Sequence, residues 1–316
     1  MTIFQTTEGN APFPYPSIPS SVHPQTYYRV IGDLSSQSSS GIRPLVVLHG
    51  GPGIPHAYLT PLFIRYHSLT QTPIILYDQI GCGKSTHFPS KVGDEAFWTV
   101  DLFVAELENL LSYLGVEKFD LYGHSWGAML AAVVASPQSR LAPNVGKLVL
   151  ASGPASMKLW ERAQHKWLES MPDTVREAIE KADRDGDYGS PEYEAAVLEY
   201  YKVHLCRTWP FPKALSDAFE ELEKDPTVYS TMCGPSEISI TGNLRTYDWI
   251  EQSKEIKAST LLINGEFDEA SDLVVKPWFQ SIAKVKWVTI GNGGHIVHLE
   301  QLEKYAGILQ VFLQDE

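Results

Sequence analysis

The sequence predicts an α/β fold in which helices cover both faces of a mostly parallel β-sheet. Short apolar runs bounded by turn residues recur along the chain, and such runs are typical of strands buried on both faces. They occupy residues 44–48, 73–77, 119–122, 147–150, 260–263 and 285–290. Helical patterns lie between them, at residues 97–114, 129–135 and 297–313. The alternation of strands with helices predicts a parallel sheet packed between helical layers.

The N-terminal part of the chain departs from this pattern. Residues 9–24 are crowded with Pro and Ser, which predicts an extended, weakly structured lead-in. Residues 25–31 alternate between polar and apolar side chains and predict one early strand. Residues 35–41 are polar and predict a surface loop.

A second departure separates two parts of the predicted sheet. Residues 154–241 contain no buried-strand run. Their charged, Trp- and Tyr-rich segments predict amphipathic helices at residues 160–170, 174–182, 191–203 and 213–222. We therefore expect an α/β core formed by residues 1–153 and 242–316, with residues 154–241 as a helical cap over the site. The alternative is a helical extension without functional contacts.

Composition narrows the classes of partner. The chain has 316 residues, 43% of them hydrophobic, which is typical of a globular protein with a sizeable core. Its net charge of −13 disfavours binding to nucleic acid or to anionic membranes. Cys82, Cys206 and Cys233 show neither disulfide nor zinc-ligand spacing. Because no signal peptide or membrane-spanning run is evident, we expect a cytoplasmic protein.

The strongest local motif is Gly123-x-Ser125-x-Gly127. It lies between the strand pattern that ends at Tyr122 and a run of small apolar residues that begins at Ala128. A serine in such a strand–turn–helix context is typical of a nucleophile elbow, in which tight flanking positions require glycine. The pattern predicts Ser125 as a nucleophile, and the alternative is an ordinary strand-to-helix turn.

A serine nucleophile needs a base and a carboxylate that orients the base. In elbow proteins these follow along the chain in the order acid and then histidine, each after a later strand. Asp268 follows the strand pattern at residues 260–263, and His295 follows the one at residues 285–290. We expect these two to complete a triad with Ser125. Glu266 and Asp272 remain alternatives for the acid, and His298 for the base.

Residues 49–53, His-Gly-Gly-Pro-Gly, follow directly after a predicted strand. A glycine-rich turn at this position can donate a backbone N–H to an oxyanion, and the residue after the nucleophile, Trp126, can donate another. We expect Gly51 to be the loop donor, with Gly50 as the alternative. The segment Gly81-Cys82-Gly83-Lys84-Ser85 is not a phosphate-binding loop, because Asp78 occupies the position where that motif requires glycine.

Four segments together make the sequence recognisable. They are His49-Gly50-Gly51-Pro52-Gly53, Tyr77–Ser85 (Tyr-Asp-Gln-Ile-Gly-Cys-Gly-Lys-Ser), Gly123-His124-Ser125-Trp126-Gly127 and Gly265-Glu266-Phe267-Asp268-Glu269. In combination they resemble the proline iminopeptidase family of α/β-hydrolases, over about residues 27–313. The resemblance implies an eight-stranded core with a helical cap.

The resemblance also implies a role for two glutamates. Family members hold the free α-amino group of the substrate with carboxylates near the serine. One such position, directly after the catalytic acid, corresponds to Glu269, and another, in a Gly-Pro-x-Glu segment, corresponds to Glu237. Without the resemblance, both would be expected to be solvated surface acids, as most glutamates are.

The resemblance therefore implies a serine aminopeptidase acting on small peptides or aminoacyl amides with a free amino group, with proline favoured. We expect no metal or organic cofactor and no nucleic-acid or membrane partner. Alternatives on the same triad are an amino-acid amidase, an esterase, or a hydrolase or acyltransferase of a biosynthetic pathway. A non-catalytic binding protein on this fold is a further alternative.

Overall fold

One eight-stranded sheet organises the computed structural model, which describes residues 5–19, 21–36 and 42–315. The strands are β1 (Thr6–Pro12), β2 (Gln25–Ile31), β3 (Leu45–Leu48), β4 (Ile74–Tyr77), β5 (Phe119–His124), β6 (Val145–Ala151), β7 (Ser259–Gly265) and β8 (Val285–Ile290). Their order across the sheet is β1-β2-β4-β3-β5-β6-β7-β8. β1 pairs antiparallel with β2, and β2 with β4, whereas all other neighbours are parallel. The predicted mostly parallel α/β sheet is confirmed.

Twelve α-helices occur among the described residues. They are α1 (Thr60–Thr70), α2 (Val100–Leu114), α3 (Trp126–Val134), α4 (Met157–Leu168), α5 (Asp173–Asp185), α6 (Pro191–His204), α7 (Lys213–Lys224), α8 (Thr227–Met232), α9 (Ile250–Ser253), α10 (Asp272–Ser281), α11 (Val297–Glu300) and α12 (Leu302–Gln314). None of these helices is both long and apolar enough to span a bilayer.

Helices cover the sheet on both faces, and the alternation within a single strand shows how. In β3, Val46 and Leu48 join the apolar cluster that includes α2 and α3. Leu45 and Val47 point the other way and join the cluster that includes α1 and α12. Because side chains alternate along a strand, a strand buried on both faces must be apolar at every position. This requirement explains the continuous runs in the sequence.

Two expectations for the ends of the chain were wrong. Residues 9–12 belong to β1 rather than to a weakly structured lead-in, and Pro12 pairs with Gln25 at the end of that ladder. β1 is a polar edge strand with one neighbour, so it lacks the apolar pattern that marks the others. The predicted helix at residues 297–313 is divided at Gln301, whose φ of −131° is not helical. Of the predicted loop at residues 35–41, residues 37–41 lie outside the described part.

Six helices, α4–α9, lie between β6 and β7, and the first five of them, α4–α8, fall within residues 154–241. Apolar residues of α4 and α8, such as Trp160 and Met232, belong to the same cluster as the sheet. In contrast, Val175 and Ile179 of α5 and Tyr200 of α6 form a separate cluster within the inserted helices. The inserted segment is therefore packed onto the core at some helices and onto itself at others.

Candidate active site

Ser125 lies between β5 and α3 in a conformation that few non-glycine residues adopt, with φ 56° and ψ −122°. The flanking glycines allow the turn. A Cβ atom on Gly123 would lie 2.0 Å from the carbonyl oxygen of Gly127, and one on Gly127 would lie 2.2 Å from that of Leu48. The Ser125 N–H donates to the Ala151 carbonyl over 2.8 Å, which anchors the turn to β6. This geometry is that of a nucleophile elbow.

The loops that follow β7 and β8 bring Asp268 and His295 together. His295 Nδ1 lies 2.7 Å from Asp268 Oδ1, and both side chains are buried. Asp268 Oδ1 also accepts from the Ala270 N–H, and Oδ2 from the Gly265 N–H. These bonds fix the carboxylate and leave the other ring nitrogen of His295 as the one that can act as a base.

The alternative acids and base lie elsewhere. Glu266 is exposed and accepts from the Asn292 N–H over 2.9 Å. Asp272 is exposed at the first residue of α10. His298 is buried, and within the described residues neither of its ring nitrogens has a hydrogen-bond partner. None of these three therefore forms the acid–histidine pair.

Electrostatics at His295 favour its charged form. Burial by itself lowers the pKa of the ring, but the charge of Asp268 and the hydrogen bond to it raise that pKa. Glu269 and Glu237 add to this effect, and together they bring the pKa of His295 to about 9. A protonated imidazole formed during a reaction is thus stabilised here by three carboxylates.

The loop of residues 49–53, hereafter called the oxyanion loop after the role predicted for it, lies beside Ser125, whose Cβ is 3.1 Å from the position of a Cβ added at Gly50. The Gly50 N–H donates to the Tyr58 hydroxyl over 2.9 Å. Gly51 has a φ of 106°, which favours glycine, and among the described residues neither its N–H nor that of Trp126 donates to a protein acceptor. Gly51 and Trp126 thus carry the free donors, whereas Gly50 does not.

Glu237 and Glu269 are not surface acids. Glu237 is partly buried and accepts from the Tyr229 hydroxyl over 3.1 Å. Glu269 is 0% exposed, and neither of its carboxylate oxygens has a hydrogen-bond partner within the described residues. Its Oε2 lies 4.0 Å from His295 Nδ1. Burial raises the pKa of both glutamates, because a carboxylate without water or a cation is unstable.

Two cavities meet at Ser125. Both are lined by Ser125, Gly51 and Glu237. The first is also lined by His295 and by apolar side chains that include Leu215 and Phe219. The second is lined by Met129, Met157, Trp160 and Leu244. Glu237 therefore lines both cavities, whereas Glu269 is not among the residues that line either of them and lies beside His295.

Comparisons with known proteins identify the family. A family model described as the α/β hydrolase fold matches residues 43–302. The chain is 34% identical to a proline iminopeptidase of Levilactobacillus brevis, over 92% of this chain and 93% of that one. It is 32% identical to a proline iminopeptidase of Lactobacillus helveticus, over 92% of this chain and 94% of the relative. The chain belongs to the proline iminopeptidase family of α/β-hydrolases.

Solved structures agree with the family. A proline iminopeptidase of Mycobacterium smegmatis is 32% identical and superposes with a TM-score of 0.84, covering 98% of each chain. The structure of VinJ is 36% identical with a TM-score of 0.88, again covering 98% of each chain. The resemblance predicted from the four sequence segments is therefore confirmed.

Sequence reasoning missed several residues that shape this proline iminopeptidase-like site. Gln79 donates from Nε2 to the His49 carbonyl over 3.1 Å and accepts from Trp126 Nε1 over 2.8 Å, so it ties the oxyanion loop to the elbow. Tyr58 holds Gly50, and Trp160 lines the second cavity. No local pattern marks these side chains, because their contacts are with residues distant in the sequence.

Proposed function

We propose that the protein is a serine aminopeptidase that releases an N-terminal amino acid, with proline favoured, from small peptides or aminoacyl amides through an acyl-enzyme. One observation carries the proposal: Glu269 is buried without a hydrogen-bond partner among the described residues, and it lies beside the paired His295 and Asp268. Burying an unpaired carboxylate is costly, so such a site favours a ligand with a positive charge.

In the proposed reaction, Ser125 Oγ attacks the carbonyl carbon of the N-terminal residue while His295 Nε2 takes its proton. Asp268 orients the imidazole and stabilises its charged form. The N–H groups of Gly51 and Trp126 stabilise the oxyanion, and losing one such donor typically costs about 2.7–4 kcal/mol of transition-state stabilisation. His295 then protonates the leaving amine, the C–N bond breaks, and a water activated by His295 hydrolyses the ester.

The amino group of the substrate is proposed to bind Glu237, with Glu269 as the second carboxylate. An ammonium about 4 Å from a carboxylate gains roughly 4 kcal/mol at an effective dielectric constant near 20, before desolvation costs. Glu237 supports this assignment because it lines both cavities that meet at Ser125. An acyl residue bound in either cavity would therefore lie near its carboxylate. Such capture fixes the scissile carbonyl one residue from the free amino end.

Preference for proline is supported by the names of the relatives and by the second cavity. Its lining by Met129, Met157, Trp160 and Leu244 is apolar, as the methylene ring of proline requires. Residues 154–241, which supply Met157 and Trp160, are proposed to be the cap of the site. The three cysteines are free and buried, which supports a reducing, cytoplasmic location.

The test is kcat/KM for prolyl, alanyl and phenylalanyl arylamides, each measured beside its N-acetylated form. We expect acetylation to lower kcat/KM by at least about tenfold, equivalent to about 1.4 kcal/mol, with the prolyl substrate cleaved best. Glu237→Gln and Glu269→Gln should each cause a similar loss, whereas Glu266→Gln, which changes an exposed acid, should not.

Other outcomes would overturn the proposal in different ways. Equal cleavage of acetylated and free substrates would indicate an amidase or esterase of another acyl class. Failure of a serine-directed phosphonate to label Ser125 in folded protein would indicate a non-catalytic binding protein. Ser125→Ala is the control in both experiments, because removal of the hydroxyl should abolish both cleavage and labelling.

A further inference from the structure

Two buried side chains connect the oxyanion loop to the loop of His295. Gly50 N donates to the Tyr58 hydroxyl over 2.9 Å. The same hydroxyl lies 2.9 Å from His124 Nδ1, and His124 Nε2 lies 3.0 Å from the carbonyl oxygen of His295. Tyr58 and His124 are each only 2% exposed. One continuous chain of three hydrogen bonds therefore joins two loops that adjoin the nucleophile.

The His295 carbonyl at one end of this hydrogen-bond chain fixes which group donates and which accepts at every step. A carbonyl oxygen only accepts, so His124 Nε2 must carry a hydrogen. Burial holds the pKa of His124 well below its ordinary value, and the ring is neutral, which leaves Nδ1 as an acceptor. Tyr58 must then donate its hydroxyl hydrogen to Nδ1, and its oxygen must accept from Gly50. Only one arrangement of hydrogens gives every group along this hydrogen-bond chain its hydrogen bonds.

At its Gly50 end, the hydrogen-bond chain fixes the peptide group next to the proposed oxyanion donor, Gly51. The Gly50 carbonyl shares a planar peptide unit with the Gly51 N–H, and the two point in opposite directions. That carbonyl accepts from His49 Nδ1 over 3.0 Å and from the Ile54 N–H over 3.4 Å. With Tyr58 holding the Gly50 N–H, both peptide groups that flank the Cα atom of Gly50 are fixed, and so is the direction of the Gly51 N–H.

At its other end, the hydrogen-bond chain holds the backbone of His295, the proposed base. The His295 carbonyl accepts from His124, and the His295 N–H donates to the His204 carbonyl over 2.9 Å. His124 is also the residue directly before Ser125. The nucleophile, the base and the oxyanion loop are thus connected through one phenol and one imidazole.

We propose that Tyr58 and His124 are positioning residues that hold the Gly51 N–H and the His295 ring in the correct positions around Ser125. This inference rests on the proposed hydrolase function. Both side chains line the first cavity, but the role proposed for them is exerted through Gly50 and His295 and not on the reacting atoms. Their loss therefore lowers the rate of the chemical step more than it weakens substrate binding.

Simple packing is the competing explanation, since the rings of Tyr58 and His124 also lie 5.6 Å and 5.0 Å from that of His298. Packing depends on the ring of Tyr58, whereas the hydrogen-bond chain depends on its hydroxyl group. Tyr58→Phe keeps the ring and removes only the hydroxyl. Tyr305→Phe is a matched control, because the Tyr305 hydroxyl is also buried and bonds to that of Tyr122 over 3.0 Å, outside the chain.

The experiment measures kcat, KM and the rate of Ser125 labelling by a neutral phosphonate for Tyr58→Phe, His124→Gln, the double variant and Tyr305→Phe. Circular dichroism and thermal melting establish that each variant is folded. We expect Tyr58→Phe to lower kcat and the labelling rate by at least about tenfold with KM within about threefold, and Tyr305→Phe to stay within about twofold. Because the two residues act as a unit, the double variant should be no slower than the slower single variant by more than about twofold.

Three results would overturn the inference: an unchanged labelling rate in folded Tyr58→Phe, a loss confined to KM, or losses that multiply in the double variant. The labelling rate also separates this inference from the proposed function. If the wild type fails to cleave substrates with a free amino group but is labelled, the aminopeptidase proposal fails and the positioning test still proceeds.

Discussion

His295 lies among three carboxylates of different character. Asp268 is hydrogen-bonded to the ring and to two backbone N–H groups. Glu269 has no hydrogen-bond partner within the described residues, whereas Glu237 accepts a hydrogen bond from the Tyr229 hydroxyl. An incoming ammonium would compensate the charge of the two glutamates and leave Asp268 with His295. The same residues are thereby expected to bind the substrate and to set the acidity of the base.

This arrangement predicts a pH dependence. A general base acts only when neutral, and the pKa of His295, the proposed base, is about 9, so labelling of the free enzyme by a neutral phosphonate should become faster as pH rises toward 9. A carboxylate raises the pKa of a neighbouring histidine, so Glu269→Gln should lower it. The rising limb of labelling rate against pH should then move to lower pH.

Asp272→Asn is the matched control, since Asp272 is an exposed acid three residues after Glu269, at the start of α10, and does not pair with His295. Its profile should coincide with that of the wild type. A Glu269→Gln profile that stays in place, or moves to higher pH, would contradict the electrostatic account of His295.

At the scale of elements, close backbone contacts set the geometry of the site. β7 ends at Gly265, and a Cβ atom there would lie 2.3 Å from the carbonyl oxygen of Gly293 and 2.5 Å from that of Gly294. The Phe267 N–H donates to the same Gly293 carbonyl over 2.8 Å. The loops that carry Asp268 and His295 therefore touch through their backbones, and glycine makes the approach possible.

Gly265→Ala should consequently disrupt both stability and activity. The added methyl group meets backbone atoms that cannot rotate away, so we expect the free energy of unfolding to fall by at least about 2 kcal/mol. Displacement of the Asp268 loop should lower kcat as well. Urea unfolding and steady-state kinetics measure the two effects.

Gly307→Ala supplies the opposite control. Gly307 lies inside α12, and a Cβ atom there has no atom within 4 Å. Because glycine in a helix interior costs roughly 0.5–1 kcal/mol relative to alanine, this substitution should stabilise the protein by about that amount. Similar effects of the two substitutions on stability would argue against the close-approach explanation.

At the scale of the whole molecule, the inserted helices hold the candidate catalytic loops. Trp167 Nε1 donates to the Asp268 carbonyl over 3.0 Å, and Gln164 Nε2 to the Glu269 carbonyl over 3.1 Å. The carbonyl groups of His204 and Leu205 accept from the N–H groups of His295 and Ile296. Substitutions that displace α4 or the end of α6 should therefore affect the acid and the base as well as access to the site.

The two parts of the insertion should differ in local stability. Buried residues of α5, such as Ile179, pack within the insertion's own cluster, whereas α4 packs on the core. We expect the backbone amides of Asp173–Asp185 to exchange hydrogen faster than those of Met157–Leu168, because the buried residues of α5 pack within the insertion and not on the sheet. Hydrogen-exchange mass spectrometry measures this difference.

Ile179→Ala should increase exchange in α5 and leave the rate of Ser125 labelling within about twofold of the wild type, since none of the buried residues of that cluster lines the first cavity. Uniform exchange across α4 and α5 would instead indicate that the insertion and the core open as one unit.

How much the sequence predicted depends on whether the signal was local. The buried strands were predictable because burial on both faces demands continuous apolar runs. The elbow was predictable because two glycines and a serine must stand at fixed spacing. β1 was missed because an exposed edge strand needs no apolar pattern, and α12 was merged with α11 because the break at Gln301 leaves the apolar periodicity intact.

The sequence by itself determined the α/β class, the position of the insertion and the candidates Ser125, Asp268 and His295, because each depends on residues close together in the chain. Only the tertiary structure decided which acid meets His295, that Gly50 is already bonded to Tyr58, and that Glu269 is buried without a partner. Asp268 and His295 are 27 positions apart in the sequence, and His124 and His295, which the structure also brings together, are 171 positions apart. Distances of that kind are set by packing of the whole sheet and its helices, and no local pattern records them.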